Sequence, residues 1–293
     1  MYSQIANNKR KTWLIMFLFV AIIGALGWIV SNIYGSPSFL YLAFVVGGGY
    51  ALIQYFAAAK LALAMNGARE ITKSQEPRLY RTVENLAIST GMPMPKVYVI
   101  DDPAPNAFAT GRDPKHSVVA ATSGLLEIMN DSELEGVIAH EMGHVQNYDI
   151  RVMMIVFGLV SAIGLIADMI MHMFWWGGSR DEDSSPNPLF IVLGIVAAIL
   201  APLVATLVQL AVSRRREYLA DSTGALTTRY PEGLASALEK IRDHGRPLKR
   251  QNTATAHLFF ANPLKGGGVA KLFSTHPPVD DRIARLRKMG LHA

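Results

Sequence analysis

The sequence predicts a multi-pass α-helical membrane protein that carries an α-rich α+β domain on the cytoplasmic side of the membrane. Composition is the first observation, because 51% of the 293 residues are hydrophobic and 17% are charged, against about 25% charged in soluble proteins. The second observation is that apolar residues gather in four runs, each close to the roughly 20 residues that a spanning helix needs. The runs are residues 13–30, 39–59, 152–176 and 189–212.

The bases beside these runs are the third observation, and they predict the orientation. Residues 9–11 are Lys-Arg-Lys and precede the first run, whereas residues 31–38 carry no charge and residues 214–216 after the fourth run are all Arg. Cytoplasmic flanks carry Lys and Arg in excess, so both blocks outside the runs are expected in the cytoplasm. The predicted divisions are 1–59 (amino-terminal tail and spans one and two), 60–151 (first cytoplasmic block), 152–212 (spans three and four) and 213–293 (second cytoplasmic block).

The first apolar run has an alternative interpretation as a signal peptide. Its length, the short linker to the second run and the lack of a clear cleavage site favour an uncleaved anchor.

Local patterns predict helices and strands in the first cytoplasmic block. Residues 77–90 have helical apolar spacing and are followed by Gly91, which predicts a helix with a glycine stop. Residues 96–100 and 117–122 are rich in Val and predict strands. Ser132 with Glu135 is a capping-box pattern, which predicts a helix that starts there and runs through residues 140–144.

The second block shows two further helix patterns. One starts at Pro231, and the other holds Ile283 and Leu286 near the end of the chain. Residues 246–271 contain five bases, no acid and three consecutive glycines, which predicts a mobile basic loop.

Charge and cysteine content exclude some classes of partner and site. The net charge of +5 comes mostly from residues 213–293, which carry 15 bases against 7 acids. Bases beside a cytoplasmic membrane surface favour anionic lipid, so we expect the lipid bilayer as a partner and no nucleic acid. The absence of cysteine excludes disulfides and cysteine-ligated metals.

The segment His140-Glu141-Met142-Gly143-His144, called the metal-binding pattern below, predicts a metal-dependent catalytic site. Residues four apart on a helix share one face, so both imidazoles can bind one metal ion, and Glu141 lies beside them to act on a water molecule. The pattern is short enough to arise by chance. The rest of the chain, which supplies a third ligand in the right place, argues against chance.

Glu217 is the candidate third ligand. A catalytic zinc usually has three protein ligands and one open position. Glu217 follows the fourth apolar run by five residues, and an even number of crossings returns the chain to the membrane face that holds His144. The alternative is an ion pair between Glu217 and the neighbouring arginines.

The motif at 140–144, the stretch Glu217-Tyr218-Leu219-Ala220-Asp221 and the order of apolar runs resemble the HtpX family of bacterial membrane metalloproteases, which is related to the CaaX prenyl protease. The resemblance covers essentially the whole chain. It implies a zincin-like cytoplasmic domain, one Zn²⁺ per chain held by His140, His144 and Glu217, and Asp221 supporting a ligand histidine.

Two less specific matches extend the resemblance. Asn106, Ala107 and Phe108 match the segment beside the bound substrate, where the alternative is an ordinary loop. The segment His276-Pro277-Pro278 with Arg282 matches a late His-Pro motif, which implies that His276 or Arg282 stabilises negative charge on oxygen. The alternative there is a helix entry fixed by proline.

The resemblance implies an enzyme of the inner membrane whose active site faces the cytoplasm. Its expected substrates are membrane proteins, their cytoplasmic segments or misfolded polypeptides, in quality control or stress response, with Glu141 as the general base. Two alternatives stay open: a CaaX-type protease acting on lipidated tails, and a noncatalytic membrane scaffold with a degenerate motif.

Overall fold

The computed structural model describes residues 2–159, 161, 214–251, 255–262 and 277–290. Most of the third apolar run, all of the fourth run and His276 lie outside these residues.

Two long helices open the chain, α1 at Tyr2–Tyr34 and α2 at Ser38–Met65. Residues 23–27 of α1 lie against residues 39–47 of α2, with Gly27 facing Ala43 and Gly47 facing Ile23. The pair is therefore an antiparallel hairpin. Within the described residues, one helix, α2, is long and apolar enough to cross a membrane, by length and composition. The prediction of several spans stays a prediction.

A four-stranded mixed sheet follows the hairpin. Its strands are β1 at Ala68–Glu70, β2 at Lys96–Ile100, β3 at Ala107–Gly111 and β4 at Ser117–Thr122. The order across the sheet is β1-β2-β4-β3, with β2 and β4 parallel and the other pairs antiparallel. The predicted strands are confirmed as β2 and β4. β3 lies at the sheet edge, and all five of its residues are buried.

Six further helices lie in the described part of the chain, and the first three of them contact the sheet. The helices are α3 at Pro77–Thr90, α4 at Ser123–Ile128, α5 at Asp131–Gln146, α6 at Arg214–Thr228, α7 at Pro231–His244 and α8 at Val279–Gly290. Short 3₁₀ turns occupy Pro114–His116 and Ala256–Leu258. The predicted helices that became α3, α7 and α8 are confirmed, and Gly91 ends α3 with a left-handed φ of 66°.

The main core lies between α5, the other helices and one face of the sheet. Leu134 and Ile138 of α5 are fully buried with Leu79 of α3 and Leu234 of α7. This core fixes α5, which carries the metal-binding pattern, at the centre of the domain.

The predicted capping box of α5 is wrong by two residues. The observed box pairs Asn130 with Glu133: the Asn130 side chain accepts from Glu133 N, and the Glu133 carboxylate accepts from Asn130 N. Asn caps a helix as well as Ser does, and Glu133 gains further partners on α7 that a sequence pattern does not reveal. Ser236 and Lys240 both donate to it.

α5 is not continuous with the third apolar run. α5 ends at Gln146, and residues 147–148 form a turn in which Tyr148 has a φ of 60°. Helical structure resumes over residues 149–159. The chain therefore changes direction directly after the metal-binding pattern.

The described part of the predicted basic loop is packed against the sheet. Phe259 and Phe260 are buried, Phe259 stacks edge-on against Phe108, and Phe260 N donates to Ala107 O at 2.8 Å. The apolar side chains within residues 256–260 explain this packing. The prediction of a mobile loop gave more weight to the basic composition of residues 246–271.

Candidate metal centre

The metal-binding pattern lies in the most buried part of α5. His140 and His144 are 1% and 4% exposed, and their Nε2 atoms are 3.2 Å apart. Glu217, in the first turn of α6, places its Oε1 3.3 Å from His144 Nε2 and its Oε2 3.8 Å from His140 Nε2. The three residues can each offer a ligand atom within 4.8 Å of the others. The structure thus brings together all three predicted ligands.

The orientation of the histidines fits a bound cation. His140 Nδ1 lies 2.9 Å from Asp221 Oδ1, and His144 Nδ1 lies 3.1 Å from Asp149 Oδ2. Because a carboxylate accepts the proton of each Nδ1, both Nε2 atoms present lone pairs toward one another and toward Glu217. Two nitrogen lone pairs and a carboxylate that converge in a buried space repel one another unless a proton or a metal cation lies between them. Nitrogen and carboxylate oxygen are ligands that Zn²⁺ accepts.

The two histidines differ in proton affinity. Burial lowers the pKa of His140 to about 4, despite the opposing effect of Asp221. Burial acts in the same direction on His144, but hydrogen bonds with Asp149 and Glu217 outweigh it and raise its pKa to about 10. Without metal, a proton is therefore held at His144. Metal ligation requires the neutral imidazole and displaces that proton.

Arg282 of α8 supports the carboxylate behind His140. Its Nε and Nη2 donate to Asp221 at 2.9 and 2.7 Å, and its Nη1 is 3.9 Å from Glu217. Burial alone would raise the pKa of Asp221, but the adjacent Arg282 and His140 hold it at about 2. Asp221 is therefore ionised and joins a ligand histidine to a buried guanidinium.

Glu141 connects α5 to the edge of the sheet. Its side chain is 2% exposed, and Oε2 accepts a hydrogen bond from Ala109 N of β3 at 2.8 Å. The edge strand therefore fixes one oxygen of the predicted general base.

The predicted substrate segment also lies at this edge. Asn106 donates to Ala261 O at 2.8 Å and accepts from Ala261 N at 3.0 Å, and Ala107 O accepts from Phe260 N. The side chain of Phe108 is fully buried. Residues 260–261 of the chain itself therefore occupy the polar groups of Asn106 and Ala107.

Asp149 is a site residue that the sequence analysis missed. It is 1% exposed, it contacts His144, and its Oδ1 is 3.4 Å from Arg216 Nη1. An acid five residues beyond the second histidine was the available signal, since ligand histidines usually donate to a carboxylate or carbonyl.

A buried His-Glu-x-x-His helix with a glutamate from a second helix defines a metallopeptidase. Comparisons with known proteins agree: the profile of Peptidase family M48 matches residues 73–290. A protein named Protease HtpX homolog from Tropheryma whipplei (strain Twist) is 59% identical over 290 residues, covering 99% of each chain. The chain belongs to peptidase family M48 and hydrolyses peptide bonds.

One further sequence relative and one solved structure are also similar to this chain. A Protease HtpX homolog from Dictyoglomus thermophilum is 47% identical over 290 residues, which cover 99% of this chain and 95% of that one. The crystal structure of S. mikatae Ste24p is similar in fold, with a TM-score of 0.53 and 19% identity, over 98% of this chain and 67% of that chain.

Proposed function

We propose that the chain is a membrane-anchored zinc metalloendopeptidase of the inner membrane that cleaves membrane proteins, their cytoplasmic segments or misfolded polypeptides in quality control or stress response. The observation that carries the proposal is that the buried cluster of His140, His144 and Glu217 lies beside the start of the helical hairpin, where Asp149 contacts both Asn8 of α1 and His144. Membrane-embedded or membrane-adjacent polypeptides are the substrates that such a site meets most often.

The hairpin supports the membrane assignment through its surface. α1 exposes Trp13 and Phe17, and α2 exposes Val45 and Ile53, each by more than half of its area. Apolar surface of this extent is typical of membrane contact. We propose a multi-pass topology with the active site in the cytoplasm. A reporter fused after Arg180, between the third and fourth apolar runs, tests this topology. Reporter activity on the outer side of the membrane is expected, and cytoplasmic activity of the reporter contradicts four full crossings.

The proposed chemistry assigns distinct roles to this chain's own residues. His140, His144 and Glu217 would hold one zinc ion, which supplies Lewis acidity toward a water molecule and a peptide carbonyl. Glu141 accepts the proton of the attacking water and returns it to the leaving amine. Asp221 and Asp149 keep the two imidazoles in their metal-binding orientation.

Charge that develops on the carbonyl oxygen needs a donor. We keep His276 and Arg282 as candidates. Arg282 donates to Asp221 through Nε and Nη2, and its Nη1 lies 3.9 Å from Glu217, so a role on substrate would fall to Nη1. His276 lies outside the described residues.

The edge strand β3 is the proposed binding site for an extended substrate. A peptide that adds to a sheet edge forms hydrogen bonds through its backbone. The Asn106 side-chain amide and the Ala107 carbonyl could form such bonds, and both are hydrogen-bonded to residues 260–261 in this structure. Substrate would therefore replace these contacts or bind further along β3.

The test is cleavage by the purified full-length protein in detergent or vesicles. A destabilised membrane protein, a soluble unfolded protein and a prenylated peptide serve as substrates, with Glu141→Gln as the inactive control. Cleavage of the membrane protein by the wild type alone is expected. Exclusive cleavage of the prenylated peptide favours the CaaX-type alternative. No cleavage of any substrate by either the wild type or Glu141→Gln favours the noncatalytic scaffold.

A further inference from the structure

The first turns of α1 contact Asp149, the carboxylate that supports His144 in the metal centre. Asn8 and Thr12 are each 1% exposed, although both are polar and lie before the first apolar run. The neighbouring Asn7 is exposed. The Thr12 hydroxyl donates to the backbone O of Asn8 at 2.9 Å, and the side-chain amide of Asn8 points at the catalytic domain.

The Asn8 amide joins two points of the turn that follows α5. Its Nδ2 donates to Asn147 O at 2.9 Å and to Asp149 Oδ1 at 2.7 Å. Asn147 is also buried. One side chain of α1 therefore holds both ends of the turn between α5 and the helical segment 149–159.

Both oxygens of Asp149 are thereby committed. Oδ1 faces Asn8 and, at 3.4 Å, Arg216, while Oδ2 faces His144 Nδ1 at 3.1 Å. The contacts from Asn8 and Arg216 to Oδ1 restrain rotation of the carboxylate, and so they restrain the direction of Oδ2. That direction sets the rotation of the His144 ring and the aim of Nε2 at the ligand cluster.

The turn contains a backbone position that needs support from its surroundings. Tyr148 adopts a φ of 60°, which is unusual for a residue with a side chain and persists only where the surroundings hold it. α1 supplies a second contact here, because Lys9 Nζ lies 4.7 Å from the centre of the Tyr148 ring. α1 therefore contacts the turn that carries Asp149 through two side chains, Asn8 and Lys9.

We propose that Asn8 is a positioning residue of the metal centre, acting through Asp149 on His144, so that the amino-terminal helix sets the affinity of the site for its metal. The inference rests on the proposed zinc centre and extends it to a helix that belongs to the membrane hairpin. Removing the Asn8 amide frees Asp149 to rotate, and His144 then loses its fixed orientation.

The experiment compares full-length wild type, Asn8→Ala, Asn8→Ser and the exposed control Asn7→Ala in detergent. Zinc affinity is measured by competition with a chelator, and ligand geometry by the visible spectrum of the Co²⁺-substituted protein. Because outer partners of metal ligands typically change affinity by about 10–100-fold, we expect roughly a tenfold loss for Asn8→Ala and a smaller one for Asn8→Ser. The visible spectrum of Co²⁺-substituted Asn8→Ala is expected to differ from that of the wild type. Asn7→Ala is expected to match the wild type in both zinc affinity and spectrum.

A double-mutant cycle with Asp149→Ala tests whether Asn8 acts through Asp149. In the Asp149→Ala background, Asn8→Ala is expected to cost no further affinity, because coupled residues are not additive. An equal loss in both backgrounds, or a wild-type cobalt spectrum in Asn8→Ala with only a lower thermal stability of the metal-free protein, overturns the inference. These readouts need no cleavage, so failure of the proposed proteolysis is a separate result.

Discussion

At the scale of single residues, Glu141 combines a catalytic assignment with a structural contact. Its carboxylate accepts from Ala109 N, and a Gln side chain can accept that hydrogen bond through its amide oxygen. The contact with β3 therefore survives the exchange, while the proton-accepting group is lost.

Glu141→Gln is expected to keep metal and fold but to lower kcat by about 10²–10⁴-fold, the usual contribution of a general base. Cleavage kinetics and metal content measured on one preparation check this. Wild-type kcat in the variant contradicts the assignment of Glu141.

Asp221 is a residue whose loss affects both site and fold. It accepts two hydrogen bonds from Arg282, which is 1% exposed. Asp221→Asn leaves that guanidinium buried without its carboxylate, so we expect a loss of about 3–5 kcal/mol in unfolding free energy. Metal affinity should fall with it.

The matched control is Asp280→Asn, which breaks an exposed pair with Arg242 and should change little. Chemical unfolding of the metal-free proteins measures both. Similar unfolding free energies for the two variants would contradict the role of the Asp221–Arg282 pair.

At the scale of elements, the contact between α5 and α6 sets the distance from the histidines to Glu217. A Cβ added at Gly224 of α6 would lie 3.0 Å from the backbone N of His140. Glycine is required here because the two helix backbones approach closely. Gly224 is two turns from Glu217 on the same helix, so a shift at one moves the other.

Gly224→Ala is expected to weaken metal binding by pushing α6 away from α5. Gly143→Ala is the comparison, because its Cβ would meet atoms of α6 at 3.5 Å, an ordinary contact. A chelator competition assay should show a clear loss for the first variant and little for the second. Equal affinities would show that the spacing of the helices is not limiting.

The start of α5 depends on Glu133, which caps the helix and binds α7. Burial alone would raise the pKa of Glu133, but hydrogen bonds from Lys240 and Ser236 outweigh it and lower the pKa. A lowered pKa means that the ionised form stabilises the fold. That contribution is complete above about pH 5, since the unfolded pKa is about 4.3, and it is lost as the pH falls through the lower folded pKa.

Glu133→Gln is therefore expected to lower the unfolding free energy by about 1–2 kcal/mol at neutral pH. The difference from wild type should shrink as the pH falls below about 4. Unfolding measured from pH 3 to pH 7 checks this. A difference that grows toward acid contradicts the stabilising role of the carboxylate.

At the scale of the whole molecule, elements with strong local signals could be predicted. α3 has helical apolar spacing and a glycine stop, and β2 and β4 have Val-rich runs. The ligands His140, His144 and Glu217 could be proposed because helix geometry and an even number of predicted crossings bring them together.

Features that depend on contacts across the chain could not be predicted. The cap at Asn130 was missed because Ser132 offers an equally good local pattern, and only the contacts of Glu133 with α7 decide between them. Asn8 is polar, and residues 255–262 lie within a stretch of basic composition, so their burial follows from partners more than a hundred residues away. Asp149 was missed because the turn at Tyr148 redirects the chain.

The measurement that tests the central claim most directly is the zinc content of the detergent-purified full-length protein and of three variants. One zinc per chain is expected in the wild type and in Glu141→Gln, because Glu141 is not a ligand. Zinc should be lost in His140→Ala and Glu217→Ala, because each removes one of the three ligands. A wild type without zinc under metal-replete conditions, or Glu217→Ala with the full zinc content, would contradict the account.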